Sequence, residues 1–115
     1  MSDKSVMLLK GTLDVLILKT LSWGPLHGYA VSRWIRETTD DVFRVEEGAL
    51  YPALRRLERK GWLAAEWGLT ETKREAKFYS LTAEGRRHLQ AEVRAWTRYV
   101  EAMSRVLHRT QPAGA

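Results

Sequence analysis

Apolar residues recur at steps of three and four through the first part of the chain, at Leu9, Leu13, Leu16, Ile17 and the Thr20–Leu21 pair. That period predicts a helix from Met7 to Leu21. Trp23-Gly24-Pro25 stops it, because glycine suits a left-handed C-terminal position and proline cannot continue the ladder. A second helix is predicted from about Gly28 to Glu37, with Val31, Trp34 and Ile35 facing inward. Thr38 to Asp41 reads as a polar turn. A third helix follows in EEGALYPALRRLERKGWL (Glu46 to Leu63), and Gly61 ends it.

The period then changes from helical to alternating. In Leu63 to Trp67, Leu63, Ala65 and Trp67 fall on one side of a strand; in Lys77 to Leu81, β-favouring residues again alternate with polar ones. The polar segment from Gly68 to Ala76 joins them as a hairpin. Three helices followed by a hairpin is the order of a winged helix-turn-helix, with the hairpin as the wing.

Thr82 has the chemistry of an N-cap, and Glu84 complements the positive end of a helix that meets no breaker until Pro112. Its apolar positions Leu89, Val93, Trp96, Val100, Met103 and Leu107 form a heptad seam. From Thr82 to about Arg109 such a helix is roughly 40 Å long, while the preceding domain is roughly 30 Å across. Its far end therefore projects, and the exposed stripe calls for a cover. A second copy of the chain is the expected cover, in a two-fold homodimer. Leu9 and Leu13 of the first helix join the seam residues in the expected interface.

The third helix carries the candidate chemistry. On a helical wheel Leu50, Leu54 and Leu57 share one side, while Pro52, Arg55 and Arg59 point the opposite way, flanked by Arg56 and Tyr51. With Gly48 near the N-cap, Pro52 falls in or just after the first turn, where a missing donor costs least. Arg55 and Arg59 repel weakly at this spacing, and Glu58 relieves part of it. By itself the pair also fits a solvated face. On the third helix of a helix-turn-helix it occupies the face that enters a major groove, where arginine binds guanine edges or clamps phosphates. Lys73, Arg74 and Lys77 of the wing are placed for the phosphate backbone or the neighbouring minor groove. His27-Gly28-Tyr29 open the second helix, whose unpaired N–H groups suit a phosphate. Tyr29 fits equally well as a core aromatic with its hydroxyl at the surface.

Composition narrows the class. The chain has 115 residues, most simply one domain with an extended element, and its 44% hydrophobic and 29% charged residues fit a globular protein. The organisation expected is residues 1–81 as the DNA-binding part, 82–109 as a dimerisation helix and 110–115 as a disordered tail. The net charge of +5 favours nucleic acid without requiring it. No apolar run is long enough to span a bilayer, and no signal peptide opens the chain. The lack of cysteine excludes disulfides and thiolate sites and fits the cytoplasm. Without a nucleophile elbow or a phosphate-binding glycine loop, and with His27, His88 and His108 unsuited to one metal, an enzyme is not expected, nor any cofactor. The remaining rival is a winged-helix module that binds protein; RNA is disfavoured because no base-stacking aromatic sheet is present.

With these residues placed, the chain resembles the PadR family of transcriptional regulators over about Leu8 to Leu107. The resemblance rests on LLKGTLDVLIL, HGYAV, EEGALYPALRRLERKGWL and KFYSLTAEG in this order and spacing. The single last helix is similar to the short subfamily, in which it makes the dimer. The resemblance implies a mainly α fold with a small β-hairpin, and a dimeric winged-helix repressor on an inverted-repeat operator. It also implies major-groove contacts from Gly48, Ala49, Tyr51, Pro52 and Arg55, and wing contacts from Lys73, Arg74 and Lys77, where Glu75 interrupts the basic run. Some short members hold a flat aromatic effector against a tryptophan of the last helix. Trp96 stands at that place, with Leu9, Val93, Val100 and Met103 as the implied walls; Trp96 also fits as an ordinary seam residue.

Overall fold

The structure is a computed structural model that describes residues 11–111. Its elements are α1 (Thr12–Thr20), a 3-10 turn (Leu21–Trp23), β1 (Leu26–His27), α2 (Gly28–Thr38), α3 (Glu47–Arg59), β2 (Leu63–Leu69), β3 (Glu75–Leu81) and α4 (Ala83–Leu107). The fold is mainly helical with one small antiparallel sheet in the order β1-β3-β2, a winged helix carrying a long last helix.

Gly11 is in the left-handed region (φ 86°) and caps α1, which starts at Thr12. The expected positions Met7 to Lys10, Leu9 among them, lie outside the described residues. α1 packs against α2, α3 and α4 at once. It therefore buries Val15, Ile17 and Leu18 on several sides, while Leu13 and Leu16 are half-buried. A stripe on one face understates a helix surrounded by three others.

The core gathers Leu21, Val31, Ile35, Leu50, Ala53, Leu54, Leu57, Leu63, Tyr79 and Leu89 around α1. Two inward expectations are corrected. Trp34 is exposed and rests on Trp23, their rings 5.4 Å apart, because Val31 and Ile35 one turn apart already define the buried line of α2. Leu89, expected on the dimer seam, is buried in the protomer's own core and is not available to a partner.

The hairpin is longer than its alternation suggested. Leu63 pairs with Leu81 and the ladder continues to Leu69 opposite Glu75, well past the core. β1 was not expected: Leu26 and His27 pair with Tyr79 and Phe78, an element too short to show a period.

α3 starts two residues earlier than an N-cap at Gly48 implied. The N-cap is Glu46, whose carbonyl accepts from the N–H groups of Ala49 and Leu50. Pro52 is consequently in the second turn, and the Gly48 carbonyl loses its helical donor. Both residues are exposed, so that carbonyl is open to solvent. At the start of α4, Thr82 Oγ1 accepts from Gly85 N–H at 3.0 Å and donates to the Gly61 carbonyl at 2.7 Å. This joint, with Thr82 N–H on the Trp62 carbonyl at 3.1 Å, sets the angle between the wing and the last helix.

Candidate nucleic-acid interface

The start of α2, the outer face of α3 and the inner face of the hairpin enclose an open groove of about 940 Å³. Arg55 and Tyr51 line it from α3, Tyr29 and Arg33 from α2, and Trp67, Arg74 and Lys77 from the wing. The chain therefore brings three of its sequence-predicted regions onto one concavity.

On α3, Gly48, Ala49, Pro52, Arg55 and Arg59 are exposed together, while the leucines one face away are buried. The helix offers a continuous strip of backbone, proline ring and guanidinium groups. Arg56 leaves this strip. Its Nη2 bonds to Asp14 Oδ1, tying α3 to α1, so part of its expected DNA role is shared with an ion pair. Tyr51 is half-buried because its ring leans on α2: a Cβ at Gly28 would sit 2.8 Å from Tyr51 Cε1. Gly28 is buried beneath that ring, where the lack of a side chain allows the close packing of α2 on α3, and it also borders the groove.

His27 is the N-cap of α2, its Nδ1 accepting from Ala30 N–H at 3.4 Å. The ring meets Phe78 edge-on at 5.4 Å and lies parallel to Tyr29 at 6.5 Å. Tyr29 is exposed, not a core aromatic, and the Arg33 guanidinium sits 5.7 Å from its ring centre. Arg33 was missed by the sequence reading. Its signal was the four-residue step from Tyr29 on the side of α2 away from Val31 and Ile35.

The wing turns through Thr70 to Arg74, closed by Thr70 N–H to the Arg74 carbonyl at 2.8 Å and Lys73 N–H to the Thr70 carbonyl at 2.9 Å. Lys73 adopts φ 63°, a left-handed position where hairpins favour glycine. Lys73 and Arg74 are exposed at this tip. Lys77 is not free in the same way: its Nζ is 3.3 Å from Glu58 Oε1, so part of its expected role is taken by an ion pair to α3. Burial raises the Tyr79 hydroxyl above its ordinary value, against the opposing pull of Lys77, so this phenol stays neutral within the groove.

α4 is 25 residues long, and its second half stands clear of the core. Val93, Val100, Met103 and Leu107 are exposed along one stripe, while Trp96 is half-buried against the core with Tyr99 edge-on at 5.7 Å. No helix among the described residues is long and apolar enough to cross a membrane.

A family model described as the transcriptional regulator PadR-like family matches residues 17–91. Protein X of Lysinibacillus sphaericus is 30% identical over 94 residues, covering 82% of this chain and 86% of its own. The negative transcriptional regulator PadR of Bacillus subtilis is 30% identical over 77 residues, which cover 67% of this chain but 42% of that longer protein. Among solved structures, a PadR family transcriptional regulator from Eggerthella lenta superposes with a TM-score of 0.73 at 33% identity, over 88% of this chain and 86% of its own.

Proposed function

The chain belongs to the PadR-like family of transcriptional regulators, DNA-binding proteins rather than enzymes, and from that premise we propose that it is a cytoplasmic homodimeric repressor of an inverted-repeat operator. The observation that carries the reading is the exposed strip from Gly48 to Arg59, whose Arg55 lines one groove together with the start of α2 and the wing. α3 enters the major groove with Arg55 reaching base edges and Arg59 the flanking phosphates. Lys73 and Arg74 hold the backbone beside it, with His27 and Tyr29 on the opposite phosphate. Repression is the activity printed for the Bacillus subtilis relative, and it is proposed here by similarity.

The second half of α4 supplies the dimer. Val93, Trp96, Val100, Met103 and Leu107 repeat at heptad steps, and two such stripes cover each other across a two-fold axis. Residues 82–109 act as the dimerisation element attached to the DNA-binding residues 1–81. A flat aromatic effector stacked on Trp96, walled by Val93, Val100 and Met103, releases the operator by changing the angle between protomers. Leu13 borders this interface from α1.

Selection of genomic fragments on the purified protein in moderate salt, followed by sequencing, tests the reading. The expected product is an inverted repeat with half-sites about one helical turn apart. Retention of unselected DNA, or of none, refutes it.

A further inference from the structure

Two large apolar side chains stand exposed on the wing alongside its cations. Trp67 and Leu69 are 68% and 64% exposed, although they continue the side of β2 that begins with buried Leu63. The ladder explains why. Trp67 is opposite Lys77 and Leu69 opposite Glu75, beyond the point where the sheet still covers the core, so the inward face of the strand turns into the wall of the groove. An indole and an isobutyl group left on an edge strand are a liability unless something covers them.

The groove indicates what does. Arg33, Arg55, Arg74 and Lys77 line it against Glu71 and Glu75, so its occupant is anionic. It is continuous with the exposed strip of α3, and the wing tip at Lys73 lies just beyond Leu69. We propose that Trp67 and Leu69 form an apolar wedge that packs on the deoxyribose rings and minor-groove edge of duplex DNA, beside the phosphates held by Arg74. This deepens the DNA-binding reading and rests on it.

A wedge and a cation act differently on affinity. Each phosphate contact releases counterions and steepens the fall of affinity with salt, whereas apolar packing leaves that slope alone. Trp67 is thus assigned the salt-independent part of wing binding, which compensates for the basic run interrupted at Glu75. The alternation placed Leu63, Ala65 and Trp67 on one side of the strand. Only the length of the hairpin shows that the same face emerges into the groove.

The test is fluorescence anisotropy of a labelled duplex recovered by genomic selection, titrated with wild type, Trp67→Ala, Trp67→Phe and Arg74→Ala over a range of salt. Trp67→Ala is expected to bind roughly tenfold more weakly at every salt concentration, within the range of aromatic contacts to nucleic acid. Its slope should match wild type, and Trp67→Phe should recover most of the loss. Arg74→Ala should instead flatten the slope by about one phosphate's share. Thermal melting and sedimentation accompany each variant, since a surface indole is removable without unfolding. Equal affinity of Trp67→Ala and wild type overturns the wedge and leaves DNA binding intact. So does a changed slope, or a loss that accompanies a changed association state and marks Trp67 as a contact between copies. A wild-type protein that binds no duplex overturns the DNA reading itself.

Discussion

Replacing Gly85 by alanine adds one methyl group where the structure leaves no room. A Cβ there would lie 2.2 Å from the Trp62 carbonyl oxygen, backbone that no side-chain rotation can clear, and 2.8 Å from Leu81 Cδ1, which can turn aside. An ordinary carbon–oxygen contact is about 3.3 Å, so α4 must retreat by about 1 Å. That movement stretches the Thr82 N–H bond to Trp62 and disturbs the cap that Thr82 makes to Gly85. Overpacking of this kind costs about 1–3 kcal/mol and a weakened cap about 1 kcal/mol, offset by about 1 kcal/mol from alanine's better helix propensity. The net loss is about 2 kcal/mol, which for a domain of this size is a fall in Tm of roughly 10 °C. Circular dichroism melting measures it, with Gly48→Ala as the paired control. Gly48 is also helical, but nothing lies within 4 Å of its would-be Cβ, so the same methyl group should raise stability there, by up to about 1 kcal/mol. If Gly85→Ala melts at or above the wild-type temperature, the close seating of α4 on the Trp62 carbonyl is refuted.

Lys73→Gly should separate stability from function. Glycine relieves a left-handed residue of about 1 kcal/mol, raising Tm, while loss of the cation should reduce the log-log salt slope of DNA binding by about 1. A lower Tm, or an unchanged slope, contradicts the wing-tip assignment. Arg55→Ala should weaken operator binding by about 1–3 kcal/mol while sparing random DNA, as a base-reading arginine requires. Equal losses on both duplexes would make Arg55 a phosphate contact. Trp96→Ala should weaken the dimer by about tenfold or more in analytical ultracentrifugation, since a central aromatic anchors such an interface. An unchanged dimerisation constant would remove the last helix from the interface.

The repeating patterns were legible because each reports a local geometry. Val31 and Ile35, Leu50 with Leu54 and Leu57, and the seam from Val93 to Leu107 all occur at helical steps, so the helices and their faces followed from spacing. Arg55 and Arg59 were placed outward by the same wheel and are exposed. The failures have equally local causes. β1 is two residues long and carries no period. Trp34 is apolar and near the inner line of α2, yet it rests on Trp23 at the surface.

The sequence by itself determined the order of the helices and the wing hairpin, the buried leucine face of α3 and the apolar stripe of the last helix, because period and breakers act within a few residues. It also carried the family motifs. Tertiary structure alone decided which partners meet: Arg56 with Asp14, Lys77 with Glu58, Tyr51 over Gly28, and Leu89 inside the core. It likewise carried the face of β2 past the core, so that Trp67, on the same side as buried Leu63, becomes a groove wall. Spacing along a chain fixes the direction of a side chain relative to its own element, whereas what that side chain touches depends on where elements distant in sequence come to lie.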